Sequence, residues 1–85
     1  MPSKTVTVGS SVGLHARPAA TIAAAAADQS SPVTLAVAGG DPVDAGSALL
    51  IMTLGAAQGT EIVVESDDQA AVDAVAALVE ADLDA

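Results

Sequence analysis

The chain alternates between short runs with the hydrophobic period of a strand and longer runs with the period of a helix. Apolar and polar residues alternate over Thr5–Val8 and Val33–Val37, as expected of half-buried strands. Two shorter runs, Val43–Ala45 and Glu61–Glu65, predict two more strands. Because the turn sequence Gly39–Pro42 separates the second and third runs, we expect these two strands to form a hairpin.

An alanine-rich segment after the first strand predicts the first helix. Alanine has the highest helix propensity of all residues, and it dominates the segment Ala16–Ala27. Proline disfavours helical angles at the residue before it, so the sequence leaves open whether the helix starts at Ala16 or at Pro18. We expect its buried face to consist of small and branched residues along one side, namely Ala19, Ala20, Ile22, Ala23 and Ala26.

Two later segments predict the second and third helices. Ala48–Leu54 predicts a short helix, for which Asp44 and Ser47 are both possible N-caps. The third helix is expected to follow Ser66–Gln69, which is typical of a capping box with acids in the first turn, and to run to about Leu83. Its apolar face repeats at helical spacing through Val72, Val75, Ala76, Val79 and Leu83.

The order strand, helix, strand, strand, helix, strand, helix predicts an α+β fold. Such an order favours an antiparallel or mixed sheet with helices packed on one face. A length of 85 residues fits a single domain over residues 1–85, and a content of 52% apolar residues is enough for a core. Since the chain has no Phe, Trp or Tyr, small and branched aliphatic side chains must fill that core.

Composition and charge exclude several classes of function. Without cysteine there are no disulfides or thiolate sites, and a single histidine with scattered carboxylates predicts neither a metal site nor another cofactor. A net charge of −9 argues against nucleic acid and anionic membranes as partners. There is no apolar run long enough to cross a membrane, and Met1–Thr5 lacks the features of a secretion signal. The cytoplasm is therefore the expected location.

The only histidine, His15, lies two residues before the only arginine, Arg17, at the predicted start of the first helix. A neutral imidazole is a nucleophile at about pH 7, and a guanidinium binds phosphate or carboxylate. Pro18 lacks an N–H and is tolerated in a first helical turn, whereas the N–H groups of Ala16 and Arg17 can face an anion. No acidic residue precedes Asp28. These features predict a histidine that handles phosphate.

Five consecutive apolar residues, Ala48–Met52, lie in the predicted second helix. A helix packed on one side cannot bury all of them, so they form either a docking surface for proteins or a helix wedged into the core. Ser47 precedes this helix and is most simply its cap. A phosphate on Ser47 would be tolerated at the helix N-terminus and would place negative charge beside the apolar residues, which could block docking.

Two motifs resemble the HPr phosphocarrier proteins of the phosphoenolpyruvate-dependent sugar phosphotransferase system. Gly13–Ala20 is similar to the active-site signature of that family. Ala45–Leu49, followed by Met52–Gly55 and Gln58–Thr60, is similar to its regulatory-serine helix and the loop after it. The resemblance covers essentially the whole chain. It implies an open-faced β-sandwich, in which a four-stranded antiparallel sheet carries three helices on one face.

The resemblance also implies a role for each candidate residue. His15 would accept a phosphoryl group at Nδ1 from phosphorylated enzyme I, which phosphoenolpyruvate charges, and pass it to the EIIA components of sugar permeases. Arg17 and the backbone at Ala16–Pro18 would stabilise the phosphoryl group, and an HPr kinase would modify Ser47. The protein would act as a monomeric transfer intermediate rather than a stand-alone enzyme. Docking of partners is expected at Ala20, Ala48, Leu49, Leu50, Met52, Thr53 and Ala56.

The chain departs from the resembled family in its basic residues. HPr proteins often carry lysines in the first helix and around the regulatory serine, but here Ala23–Ala27 is all alanine, and Gly46 and Leu50 stand where lysine is common. Docking should therefore rely on apolar contact and Arg17, with weak electrostatic steering. Two alternatives are an HPr-like regulator whose phosphorylation state controls other proteins, and a plain interaction module in which His15 has no role.

Overall fold

The elements of the fold follow one another in the order that the hydrophobic pattern predicts. The structure is a computed structural model that describes residues 2–81. Its elements are β1 (Ser3–Thr7), α1 (Ala16–Ala27), β2 (Val33–Val37), β3 (Val43–Asp44), α2 (Ala48–Thr53), β4 (Glu61–Ser66) and α3 (Gln69–Glu80). The bounds of β2, the end of α1 and the starts of β3, α2 and β4 are those predicted. Apart from the start of α1, which the sequence left open, the other boundaries within residues 2–81 differ by one or two residues. In residues 2–81 no helix is both long and apolar enough to cross a membrane.

The four strands form one antiparallel sheet in the order β1-β4-β2-β3. The predicted hairpin of β2 and β3 is confirmed, with Leu35 opposite Val43. Along β4, Ile62 and Val64 are buried while Glu61 is exposed and Val63 and Glu65 are only half-buried. Since alternate residues of a strand point to opposite faces, one face of the sheet is covered and the other is open. This is the open-faced arrangement that the resemblance implies.

The covered face packs on helices mainly through aliphatic side chains. Helix α3 contacts β1, β4 and β2, and α1 packs against both α2 and α3. The largest side chains with almost no exposure are Ile22, Leu35, Ile51 and Ile62, surrounded by valines. The core therefore contains no side chain larger than isoleucine or leucine, so its packing depends on close approach of the backbones as well as on side-chain volume.

The structure shows at which residue α1 starts and which of its predicted buried residues is exposed. His15 is the N-cap with an extended backbone, so the helix starts at Ala16 rather than at Pro18. Ala20, which was predicted to be buried, is exposed. Successive residues of an α-helix turn by about 100°, which places Ala20 beside Ala16 on the outer side, away from the buried Ala19. The prediction for Ala20 was therefore wrong.

The N-terminus of α3 also differs from the sequence-based expectation. Ser66 ends β4 instead of capping the helix, and its Oγ accepts a hydrogen bond from the N–H of Asp68 at 3.3 Å. Asp68 is the N-cap, and its Oδ1 accepts from Ala70 N at 3.0 Å. The predicted capping box is wrong because Asp68, and not Ser66, is the N-cap, and the predicted acids are absent from the first turn. The predicted helix end and apolar position at Leu83 lie outside the described residues; within them α3 ends at Glu80.

Of the two possible caps of α2, the structure selects Ser47. Its Oγ accepts a hydrogen bond from Leu50 N at 3.2 Å, as expected of a serine N-cap. Asp44 instead ends β3, and its Oδ1 accepts from Gly46 N at 2.8 Å in the turn between the two elements. Asp44 therefore stabilises the turn between β3 and α2, and Ser47 caps the helix.

The loop after β1 is fixed by very close backbone contact with the end of α3. Gly9 N donates a hydrogen bond to Val79 O at 3.1 Å, and a Cβ on Gly9 would collide with the carbonyl of Glu80. On its other side the loop is joined to the start of β4, because Gly59 N donates to Val8 O at 2.9 Å. Residue 9 must therefore lack a side chain for this loop to lie where it does.

We expect Gly9→Ala to lower the free energy of unfolding by about 2 kcal/mol, because the added methyl group overpacks a rigid backbone contact. The matched control is Gly46→Ala, whose Cβ would lie 3.2 Å from Asp44 Oδ1, a side-chain atom that can move. That variant should stay within about 1 kcal/mol of the wild type. Urea denaturation measures both, and equal stability of the two variants would contradict the account of the loop.

Candidate functional site

His15 lies at the N-cap of α1, where the chain turns from the β1–α1 loop into the helix. Its backbone is extended, with φ −83° and ψ −169°, and its carbonyl accepts the first helical hydrogen bond from Ala19 N at 2.9 Å. The side chain is exposed and does not cap the helix. The imidazole is therefore presented to solvent at the positive end of a helix.

Gly13 and Leu14, the two residues that precede His15, set its orientation. Gly13 has φ +78°, a conformation that favours glycine, and a Cβ there would collide with the carbonyl of Ala56. Leu14 is buried, and its N–H donates to that same carbonyl at 2.9 Å. Because Leu14 turns into the core, the next residue, His15, faces outward.

The first turn of α1 supplies the groups that can bind an anion beside His15. Helix geometry leaves the N–H groups of Ala16 and Arg17 without acceptors inside the helix, and these groups carry the positive end of the helix dipole. Pro18, the third helical residue, has no N–H and is buried, so it fixes the turn. Arg17 is exposed, and its carbonyl accepts from Thr21 Oγ1 at 3.2 Å.

A depression of about 320 Å³ adjoins His15 and joins three segments of the chain. These are the β1–α1 loop, the end of α2 and the loop that follows it. The lining residues are Val12, Leu14, His15, Met52, Gly55, Ala56 and Ala57. The fold thus brings together the two motifs that the sequence analysis identified separately.

Val12 is a lining residue that the sequence analysis did not select. It is 64% exposed and lines the depression with His15. The signal was present in the sequence as one apolar residue between Ser11 and Gly13. Its position beside the end of α2 depends on tertiary contact, so the sequence pattern alone did not reveal it.

The outer side of α2 is an exposed apolar surface. Of the residues Ala48–Met52 only Ile51 is buried, whereas Leu49 is 69%, Leu50 40% and Met52 36% exposed. The helix is therefore not wedged into the core.

The remaining residues selected for docking differ in their accessibility. Ala20 and Thr53 are exposed. Ala48 is half-buried and packs against the core, and Ala56 is only 6% exposed. Ala56 thus contributes to the site mainly through its carbonyl, which holds the loop before His15.

Ser47 and His15 are connected through α2. Ser47 begins the helix, and Met52, which lines the depression with His15, lies one and a half turns later, about 8 Å along the axis. Ser47 is half-buried, and its hydroxyl accepts the capping hydrogen bond from Leu50 N. A modification there would lie at the edge of the apolar surface.

Charge is distributed unevenly around this site. No acid occurs in residues 2–27 or 45–60, which include α1, α2 and the loops beside His15. The acid that follows α1 in the chain, Asp28, caps its far end, about 20 Å from His15 along the axis. Among residues 2–81 no group of three or more His, Cys, Asp or Glu side chains could hold a metal ion.

Comparison with known proteins identifies the family. Residues 2–81 match the family described as "PTS HPr component phosphorylation site". The phosphocarrier protein HPr of Streptomyces coelicolor is 48% identical over 71 residues, which span 84% of this chain and 76% of that protein. The chain therefore has a close relative among the HPr proteins along most of its length.

Solved structures agree with the sequence match. HPr-C-His from Thermoanaerobacter tengcongensis superposes with a TM-score of 0.84 at 32% identity, covering 94% of this chain and 92% of that one. The phosphocarrier protein HPr from Bacillus anthracis gives 0.82 at 33% identity, covering 92% and 95%. The chain belongs to the HPr family, the phosphocarrier proteins of the phosphotransferase system.

Proposed function

We propose that this phosphocarrier accepts a phosphoryl group on His15 from phosphorylated enzyme I and passes it to EIIA components of sugar permeases. The observation that carries the proposal is the placement of an exposed imidazole at the N-cap of α1, beside Arg17, in an acid-free part of the chain. An anion bound there would lie beside the positive charge of Arg17 and the positive end of α1.

Phosphoryl transfer to His15 is a displacement at phosphorus that requires no cofactor. The lone pair of His15 Nδ1 attacks phosphorus, and the bond from phosphorus to the donor atom of enzyme I breaks, with its electron pair leaving on the donor. The imidazole proton resides on Nε2 during the attack, and nothing is oxidised or reduced. In the transfer to EIIA, an acceptor group of EIIA attacks phosphorus, and the bond between phosphorus and His15 Nδ1 breaks, so that His15 is the leaving group.

The chain's own residues stabilise the transferred group through charge and orientation. The Arg17 guanidinium can form two parallel hydrogen bonds to phosphoryl oxygens, and the N–H groups of Ala16 and Arg17 add helix-terminal donors. Because Pro18 and the buried Leu14 fix the backbone on both sides of the site, the backbone N–H donors of Ala16 and Arg17 are pre-organised.

The accessibility of the site fits a shuttle between proteins. His15, Arg17 and the outer side of α2 all face solvent, so one surface can meet enzyme I and then EIIA. We propose that the protein does this as a single-domain monomer in the cytoplasm, where enzyme I draws its phosphoryl group from phosphoenolpyruvate.

Incubation with phosphoenolpyruvate and enzyme I should label the wild-type protein with an acid-labile, alkali-stable phosphate. His15→Ala should take up no label, because the acceptor nitrogen is gone. The exposed side chain has no capping role, so the variant should keep the wild-type circular dichroism spectrum. Labelling of a folded His15→Ala protein would reject His15 as the acceptor.

Arg17→Ala should slow phosphoryl transfer to EIIA by about 10- to 100-fold, since one charged donor to the transferred group is lost. Arg17→Lys should recover only part of the rate, because an ammonium provides charge without the two-pronged guanidinium geometry. Rapid-quench transfer kinetics separate these variants. An unchanged rate in Arg17→Ala would remove the anion-stabilising role.

We further propose that Ser47 is a regulatory phosphorylation site for an HPr kinase. Negative charge at the start of α2 would lie beside Leu49 and Leu50, whose burial in a complex it would oppose. The same helix N-terminus tolerates the charge in the free protein. Regulation would then act on docking and leave the fold intact.

Ser47→Asp should keep the cap and the stability of the wild type while weakening binding to enzyme I by about tenfold. Ser47→Ala should do the reverse, losing about 1 kcal/mol of unfolding free energy with the cap while binding normally. Calorimetric titration and thermal denaturation measure the two effects. Normal binding by Ser47→Asp would show that charge at this position does not control docking.

A further inference from the structure

We infer that this carrier docks onto an apolar, non-acidic surface of enzyme I, so that salt leaves the complex unchanged or strengthens it. The inference rests on the proposed function and concerns the chemistry of the partner. The docking face is defined here as the exposed apolar residues Val12, Leu49, Leu50 and Met52, together with His15 and Arg17.

The first observation is that the docking face is apolar over two separate elements. Val12 and Leu49 are 64% and 69% exposed, and Leu50 and Met52 are 40% and 36% exposed. Val12 and Met52 line one depression with His15, so an apolar residue of the loop and one of α2 lie beside that side chain. Exposed side chains of this size gain by being covered, and an apolar protein surface covers them best.

The second observation is that the docking face has almost no positive charge that could pair with acidic residues of a partner. Its segments, residues 2–27 and 45–60, contain no acid, and their only basic residues are Arg17 and Lys4. Lys4 lies in β1, an edge strand, whereas Arg17 is beside the acceptor. A partner surface lined with carboxylates would therefore find a single complementary charge, Arg17, and would leave its other charges desolvated without a partner.

The third observation is that the whole chain has a net charge of −9. At low salt, where the screening length is about 30 Å at 0.01 M, a partner experiences this total charge before contact. An acidic protein is then repelled during approach. Salt shortens the screening length to about 10 Å at 0.1 M and removes that repulsion, while apolar contact is not weakened.

The test is a calorimetric titration of the protein with cognate, unphosphorylated enzyme I at 50 and 500 mM KCl. We expect a dissociation constant that is equal or lower at 500 mM. A rise of more than about twofold would show that attraction between opposite charges holds the complex and would overturn the inference.

A matched pair of substitutions tests the same point at constant salt. Leu49→Lys and Ala74→Lys both change the net charge from −9 to −8, and both positions are exposed on helices. Leu49→Lys should weaken binding by about tenfold because it places an ammonium against an apolar surface, and Ala74→Lys, on α3, should stay within twofold. Equal or tighter binding by Leu49→Lys would mean an acidic partner surface and would overturn the inference.

The phosphorylation assay separates this inference from the proposed function. If enzyme I and phosphoenolpyruvate do not label the wild-type protein at all, the proposed function fails. If His15 is labelled but the dissociation constant rises with salt, or Leu49→Lys binds at least as tightly as the wild type, only the inference about the partner surface fails.

Discussion

The functional site depends on one backbone contact, in which Leu14 N–H donates to the carbonyl of Ala56 at 2.9 Å. The contact requires glycine at residue 13, because φ is +78° there and a Cβ would collide with the same carbonyl. It places Leu14 in the core and His15 at the helix N-cap. It also joins the loop to the end of α2, so His15 and the apolar surface of that helix form one face.

Because the chain has no aromatic residues, close contacts between backbone segments are needed to pack its core. With a core of alanine, valine, leucine and isoleucine, the elements must approach closely to exclude water. Gly9 against Glu80 and Gly13 against Ala56 are two such approaches, one on each side of the β1–α1 loop. The loop is thereby fixed without large side chains, which leaves its outer surface available for a reacting group.

Much of the fold could be predicted from the sequence because hydrophobic period determines element type directly. The end of α1 and the bounds of β2 follow from it, as does the β2–β3 hairpin. The errors arose where neighbouring residues compete for one role: Ala20 is as apolar as Ala19, and Ser66 is as good a cap as Asp68. Register and helix rotation, which are tertiary properties, decide both cases. The exposure of Val12 and the contact of Ala56 likewise required the three-dimensional structure.

The sparse charge of the docking face gives phosphorylation a large effect under the proposed function. Before transfer, Arg17 provides the face with one positive charge, and no carboxylate of residues 2–27 or 45–60 opposes it. A phosphoryl group adds about two negative charges and so reverses the sign of the face. On a surface rich in lysine the same group would change the local charge only in part. Here the loaded and unloaded forms present opposite charge on an otherwise apolar surface, so a partner can distinguish them through the acceptor site alone.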